Sequence, residues 1–338
     1  MANNKKYYLG GLFLIVTLLM TGLLLKTDQV AAKASLTIST VTSAHQIDSK
    51  KSYFYLAVKP NTEEQLTVNL TNQSAKDITV TPSLVSATTS ENGTINYQTT
   101  QAKADSTLKY QLPDLATLPD KIVIPANSLK KVTIKLALPQ QSFTGILAGA
   151  LRFTEVADQP VQQKGIHNTV AYTIAVILRE DNKVVVPELN LLKISAKNSR
   201  GKQIMTEVIQ NPVANYLFNL SLKTQIYSKK TKQKVFENQQ NGLQMAPNSH
   251  FTNSINLQNK LAAGEYRVVT VATSNQQRWK FNQTLKIVRE PSLNQRTVST
   301  SKVVKQRSLP IGMIILILII VGLAMVSAYL WQRRKSQH

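Results

Sequence analysis

The stretch QLTVNLT, residues 65–71, alternates apolar and polar side chains without a break. Leu66, Val68 and Leu70 fall on one side of an extended chain, and Thr67, Asn69 and Thr71 on the other. Successive side chains of a strand point to opposite faces, so a period of two marks a half-buried β-strand.

The same pattern recurs on both sides of it. Upstream lie SLTISTVT (35–42) and YFYLAV (53–58), the latter followed by the turn KPNT (59–62). Pro60 fixes φ there and Asn61 tolerates turn geometry. Downstream, NQSAKD (72–77) reverses the chain and ITVTP (78–82) pairs back. Within residues 88–97, Glu91-Asn92-Gly93 is a tight-hairpin signal. IVIP (122–125) and residues 131–138 form a further pair, with Val132, Ile134, Leu136 and Leu138 on one face. FTGILAGALRF (143–153) closes the set; Gly145 and Gly149 read there as points of close backbone approach. Short strands separated by turn signals predict a β-sandwich.

Residues 155–168 (EVADQPVQQKGIHN) are polar and aperiodic. Two readings are open for them: a linker, or an exposed hairpin at a domain boundary. Beyond them Val170, Tyr172, Ile174, Val176 and Leu178 alternate cleanly. Strands follow at 187–194, 204–210, 217–227, 266–273 and 279–288, with turns at Asn211-Pro212, residues 246–249 and Ala263-Gly264. This predicts a second all-β domain.

Both ends of the chain read as membrane-related. Residues 311–331 carry no charge, and roughly 20 apolar residues at about 1.5 Å rise cross a bilayer core. Arg333-Arg334-Lys335 follows, and basic clusters stay on the cytoplasmic side. At the other end Lys5-Lys6, an apolar run over residues 9–25 and Ala32-Lys33-Ala34 have the layout of a secretory signal. Leu309-Pro310-Ile311-Gly312-Met313 resembles a wall-sorting signal but has Gly312 in the Thr place and Met313 in the Gly place. The expected anchor is therefore the bilayer, with the N-terminal domains outside the cell. The expected organisation is a signal peptide (1–34), a first sandwich (35–157), a second (158–290), a basic stalk (291–310), a transmembrane helix (311–331) and a cytoplasmic tail (332–338). The fold class is all-β: two tandem immunoglobulin-like β-sandwich domains with a C-terminal transmembrane helix.

The 338 residues include no Cys, so no disulfide supports the exported domains. The formal charge of +22 is uneven: residues 35–158 carry net +1, residues 159–290 net +11 and residues 291–310 net +4. Chemistry-bearing patterns are sparse. The four His are scattered without metal-ligand spacing, so no cofactor or metal is expected. Ser-x-x-Lys recurs without its partner motifs, and no Gly-rich phosphate loop is present. An enzyme is not expected. The sharpest surface feature is the run SKKTKQKV (228–235), where Lys229, Lys230, Lys232 and Lys234 are candidate anion-binding residues at a hairpin tip. The bland alternative is a solvated loop. Nucleic acid is not expected, because aromatic interleaving is missing.

Several motifs together resemble the WxL-interacting proteins of Gram-positive surfaces. In the first domain they are YFYLAVKP (53–60), QLTV (65–68), NGTINY (92–97), DSTLKY (105–110) and FTGILAGALRF (143–153). In the second they are APNSHF (246–251), LAAGEY (261–266) and WKF (279–281). The resemblance implies a peptidoglycan-binding first domain, a host-binding second domain and partnership with WxL-domain proteins. It implies a membrane-anchored cell-surface adaptor that contacts peptidoglycan and host or extracellular-matrix proteins. The alternative function is a teichoic-acid (polyanion) binder acting through the basic second domain.

Overall fold

The computed structural model describes residues 35–98, 104–156, 169–199 and 201–288. The expected signal peptide, stalk, transmembrane helix and tail lie outside them. Among the described residues no helix is long and apolar enough to cross a membrane. The chain divides into two units, Met1–Arg289 and Glu290–His338, and every strand belongs to the first.

The strands in order are β1 Leu36–Thr40, β2 Phe54–Ala57, β3 Glu63–Asn72, β4 Ile78–Ser86, β5 Thr88–Thr89, β6 Ile95–Asn96, β7 Ile122–Ile124, β8 Ser128–Ala137, β9 Ile146–Glu155 and β10 Ala171–Arg179. They continue as β11 Asn190–Ser199, β12 Lys202–Asn211, β13 Leu217–Ser228, β14 Lys234–Met245, β15 Ser249–Leu257, β16 Gly264–Ser274 and β17 Gln277–Ile287. A single turn of 3-10 helix spans Leu112–Leu115.

The first sandwich stacks a β1-β3-β8 sheet on a β2-β10-β9-β4-β7 sheet. The alternation in β3 does what its period requires: Leu66, Val68 and Leu70 are fully buried. Each such side chain contributes roughly 1.5–3 kcal/mol through removal from water. They meet Phe54, Leu84, Leu151 and Phe153 from the other sheet in one core. Gly149 lies where β9 runs beside β4, and a Cβ there would overlap the Val85 carbonyl oxygen. Asn61, in the turn after β2, has φ +54, a conformation that Asn adopts more readily than bulkier residues.

One strand changes sides relative to the expected division at residue 158. β10 pairs antiparallel with β9 and parallel with β2, and Ile174, Val176 and Leu178 enter the first core. The physical reason is registry: the apolar set of β10 continues the buried face that β9 offers. Of the polar segment between these two strands, residues 157–168 lie outside the described residues.

The second sandwich stacks β11-β12-β15 on β14-β13-β16-β17. Three hairpins (β11-β12, β13-β14, β16-β17) and β15 returning beside β12 make an immunoglobulin-like Greek-key order. Strands β14 and β15 had no clear periodic signal. β14 is an edge strand polar on both faces over most of its length. In β15 the inward set is Phe251, Asn253, Ile255 and Leu257, and Asn253 interrupts the apolar period.

Asn253 faces inward because of Glu207, whose side chain is fully buried on β12. The Glu207 carboxyl meets the Asn253 amide (3.0 Å), the Thr224 hydroxyl (3.1 Å to each oxygen) and the Thr270 hydroxyl (2.5 Å). Glu207 stands opposite Asn253 in one sheet and Thr224 opposite Thr270 in the other. The four divide the core into a cluster around Ile209, Leu222 and Phe251 and another around Met205, Ile226 and Ile255. Burial pushes the Glu207 carboxyl above its ordinary range, against the opposing pull of Thr270, Asn253 and Thr224.

The sign of the pH dependence follows. Above the ordinary glutamate range the unfolded chain releases a proton that the folded chain retains, so stability falls as pH rises from there to the raised folded value. Replacing Glu207 by Gln keeps a neutral hydrogen-bonding group and removes this term. The melting temperature of E207Q relative to the parent is expected to be higher at pH 8 than at pH 4, whatever the fixed cost of losing one acceptor oxygen. Thermal unfolding at the two pH values reads this, and a pH-independent difference would contradict it.

Candidate functional site at the domain junction

The β5-β6 hairpin projects from the end of β4 onto the second sandwich. Ser90 and Thr94 close its turn, with Gly93 at φ +69. The Gly93 carbonyl accepts the Gln244 N–H at 2.7 Å, and a Cβ on Gly93 would run into Leu243. Behind the turn the Thr89 hydroxyl accepts the Ala246 N–H (3.0 Å) and shares a hydrogen bond with Ser249 (2.6 Å). Tyr97 and Tyr216 join through their hydroxyls at 3.0 Å. Farther along, the Ile146 N–H donates to the Ala214 carbonyl at 2.8 Å. Gly145, at φ +84, allows this: any Cβ would press on that carbonyl oxygen.

The central contact is the Asp105 carboxylate. It accepts the Thr107 N–H (2.9 Å) and hydroxyl (2.7 Å) from its own loop. From the second sandwich it accepts Gln210 Nε2 (2.9 and 3.1 Å), and it meets His250 Nδ1 at 2.6 Å. Burial pushes the carboxyl up, but the hydrogen bonds from Thr107, His250 and Gln210 together outweigh it and hold the group below its ordinary value of 3.8.

These contacts border a groove of about 500 Å³. Thr88, Ser90, Glu91, Asn96 and Gln111 line it from the first domain, and Asn248, Ser249 and His250 from the second. Hydroxyls, amides, a carboxylate and an imidazole over a small apolar floor (Leu84, Ala87, Leu108) suit sugar hydroxyls and amide groups. A smaller cleft of about 290 Å³, lined by Lys109, Tyr110, Phe143 and Ala214 among others, shares Leu108 and Asn248 with the groove.

A third cleft, of about 330 Å³, lies in the first sandwich around Ser43, His45 and Glu64. His45 Nδ1 (2.5 Å) and the Ser43 hydroxyl (3.0 Å) both bond to the buried Glu64 carboxylate, and the Ser43 oxygen accepts the His45 backbone N–H at 3.1 Å. The serine hydroxyl thus has a carboxylate partner and no imidazole base, unlike an activated nucleophile.

The lysine run sits at the exposed turn between β13 and β14, as its composition predicts. Two of its four cations are already committed. Lys229 Nζ is 3.2 Å from Glu265, and Lys234 Nζ is 2.5 Å from Glu237, which also binds Lys223 at 2.8 Å. Lys223, Lys234 and Gln225 hold the Glu237 carboxyl down to about 2. Lys230 and Lys232 make no ion pair among the described residues, and Lys232 occupies φ +62.

The junction residues escaped sequence reasoning because Asp105 and His250 are 145 positions apart. A weaker signal was present. NGTINY, DSTLKY, FTGILAGALRF and APNSHF, four of the motifs that carry the resemblance, all converge here.

Residues 36–155 match the family model described as WxL Interacting Protein, peptidoglycan binding domain. Residues 161–295 match WxL Interacting Protein, host binding domain. No curated protein matches the chain. Among solved structures, the Escherichia coli chaperone DraB is similar at 12% identity over 74% of this chain and 98% of its own, with a TM-score of 0.28. The Pseudomonas aeruginosa CupB2 chaperone is similar at 12% identity over 68% and 96%, with a TM-score of 0.27. At that level of superposition the likeness supports no conclusion about this chain.

The junction has a pH signature. A carboxyl depressed by folding stabilises above its ordinary value and loses that contribution as pH falls through the folded one. Asp105→Asn is expected to cost about 1–3 kcal/mol at pH 7, from donors left poorly matched. The difference from the parent should shrink in acid, as pH falls through the lowered folded-state value of Asp105. Denaturant unfolding with hydrogen exchange at Gln210 and His250 reads it; an equal cost at pH 7 and in acid would contradict the assignment.

Proposed function

Because the chain belongs to the WxL-interacting protein family, with its peptidoglycan-binding and host-binding domains in tandem, we propose that it is a cell-surface adaptor that grips the wall at the domain junction. The observation that carries this reading is the polar groove of about 500 Å³ bordered by Asp105 and lined from both domains. Its hydroxyl and amide groups match the hydroxyls and N-acetyl amides of a wall glycan. The peptidoglycan site is then completed by Asn248 and His250 of the second domain.

The rest of the reading follows from this. The second domain presents surface to partners, with WxL-domain proteins and host or matrix proteins as the classes the family implies. The 311–331 segment serves as the membrane anchor, with the domains outside the cell. The role in this reading is binding. Polyanion binding by the second domain is a second reading, favoured by its net +11 over residues 159–290.

Sedimentation with purified wall sacculi tests the first reading. The parent protein is expected in the pellet. Asn96→Ala combined with Gln111→Ala, which removes two lining amides outside the Asp105 network, should weaken retention about ten-fold, equivalent to ~1.4 kcal/mol. Retention equal to the parent would remove the groove from the account, and a parent protein that stays in the supernatant would remove wall binding itself.

A further inference from the structure

The exposed face of the β14-β13-β16-β17 sheet carries more cations than carboxylates. Along β17 the outward side chains are Arg278, Lys280, Asn282, Thr284 and Lys286, all exposed. Their neighbours on β16 are Thr273, Val271, Val269, Arg267 and Glu265 in register. The sheet face holds two carboxylates, and both are occupied elsewhere: Glu265 by Lys229, Glu237 by Lys223 and Lys234. Arg267 lies over the Tyr227 ring, 4.5 Å from its centroid. Arg278, Lys280 and Lys286 make no ion pair among the described residues.

Lysine on an outer strand often serves to block edge-to-edge pairing. That explanation has little to act on here. Strand β11 of the other sheet packs beside β17, and Gln283 Nε2 donates to the Leu191 carbonyl there at 2.7 Å. The three cations also stand on the face of the sheet, where they do not guard its backbone.

We propose that this face binds a linear phosphodiester polymer lying along β17. The proposal deepens the polyanion reading, and it moves the site from the β13-β14 turn to the sheet. Charge complementarity selects the occupant. Alternate residues of a strand are about 6.8 Å apart, so the array from Arg278 to Lys286 extends roughly 27 Å. That length suits an extended chain of charges and exceeds any single small anion. Between Lys280 and Lys286, Asn282 and Thr284 offer neutral hydrogen-bond partners for the linking polyol. A bilayer fits less well: the aromatic Trp279 and Phe281 pack against the core, and the apolar residues of the face, Val269 and Val271, are buried or half-buried between the polar ones.

The test uses the full-length chain and soluble inorganic polyphosphate, with phosphatidylglycerol vesicles as a second probe. Replacing Arg278, Lys280 and Lys286 together by Gln should weaken polyphosphate binding about ten-fold or more near 0.1 M salt. It should also flatten the slope of log affinity against log salt by roughly two units. Replacing Lys229, Lys230, Lys232 and Lys234 by Gln should cost less than three-fold by the same measure. Acetylation of Lys280 and Lys286 in the parent should be slowed by polyphosphate, a readout independent of any variant's folding. If the turn variant loses binding and the β17 variant does not, the site is wrong while the polyanion reading stands. A parent protein that binds no polyphosphate overturns both, and vesicle binding stronger than polyphosphate binding overturns the choice of occupant.

Discussion

A buried carboxylate has to be met by donors, and those that meet Asp105 come from two domains. Thr107 belongs to its own loop; Gln210 and His250 belong to β12 and the start of β15. Dehydrating a carboxylate without such partners costs several kcal/mol, so the loop and the second sandwich are held by one group. Close backbone approach does the rest. Gly93 and Gly145 are placed where any side chain would push the domains apart. The two sandwiches therefore form one compact unit, and both contribute to the lining of the groove.

The same rule operates inside the second sandwich with a different outcome. Glu207, Asn253, Thr224 and Thr270 satisfy one another across the two sheets. A one-residue slip of β12 would turn Glu207 to solvent, strand its three partners and expose Met205 and Ile209. The quartet therefore specifies strand register more than it adds stability. Apolar residues of similar volume could pack the space without specifying which residues face each other.

Charge is arranged in keeping with a division of labour between the domains. The first is near neutral and meets the groove through hydroxyls and amides. The second carries the excess, but its most conspicuous cluster is partly spent on Glu237 and Glu265. Counting lysines in the turn overstates what is free there, and further unpaired cations stand on a sheet face that no run of sequence picks out.

The local patterns were legible in the residues. Alternation at 65–71 and 170–178 identified β3 and β10 and their buried faces, because an extended backbone turns each side chain opposite to its neighbours whatever lies across from it. Gly145 and Gly149 were readable as close approaches for a similarly local reason. Neither β14 nor β15 was legible, since one is an edge strand without an apolar face and the other turns Asn253 inward to meet a glutamate on a different strand. The membership of β10 in the first sheet, the Asp105–His250 contact across 145 positions and the pairing of Lys229 with Glu265 were hidden too. Each depends on which strands come to lie side by side. A polar residue's burial, or a lysine's freedom, is a property of its neighbours in space, and for these groups the neighbours are remote in the chain.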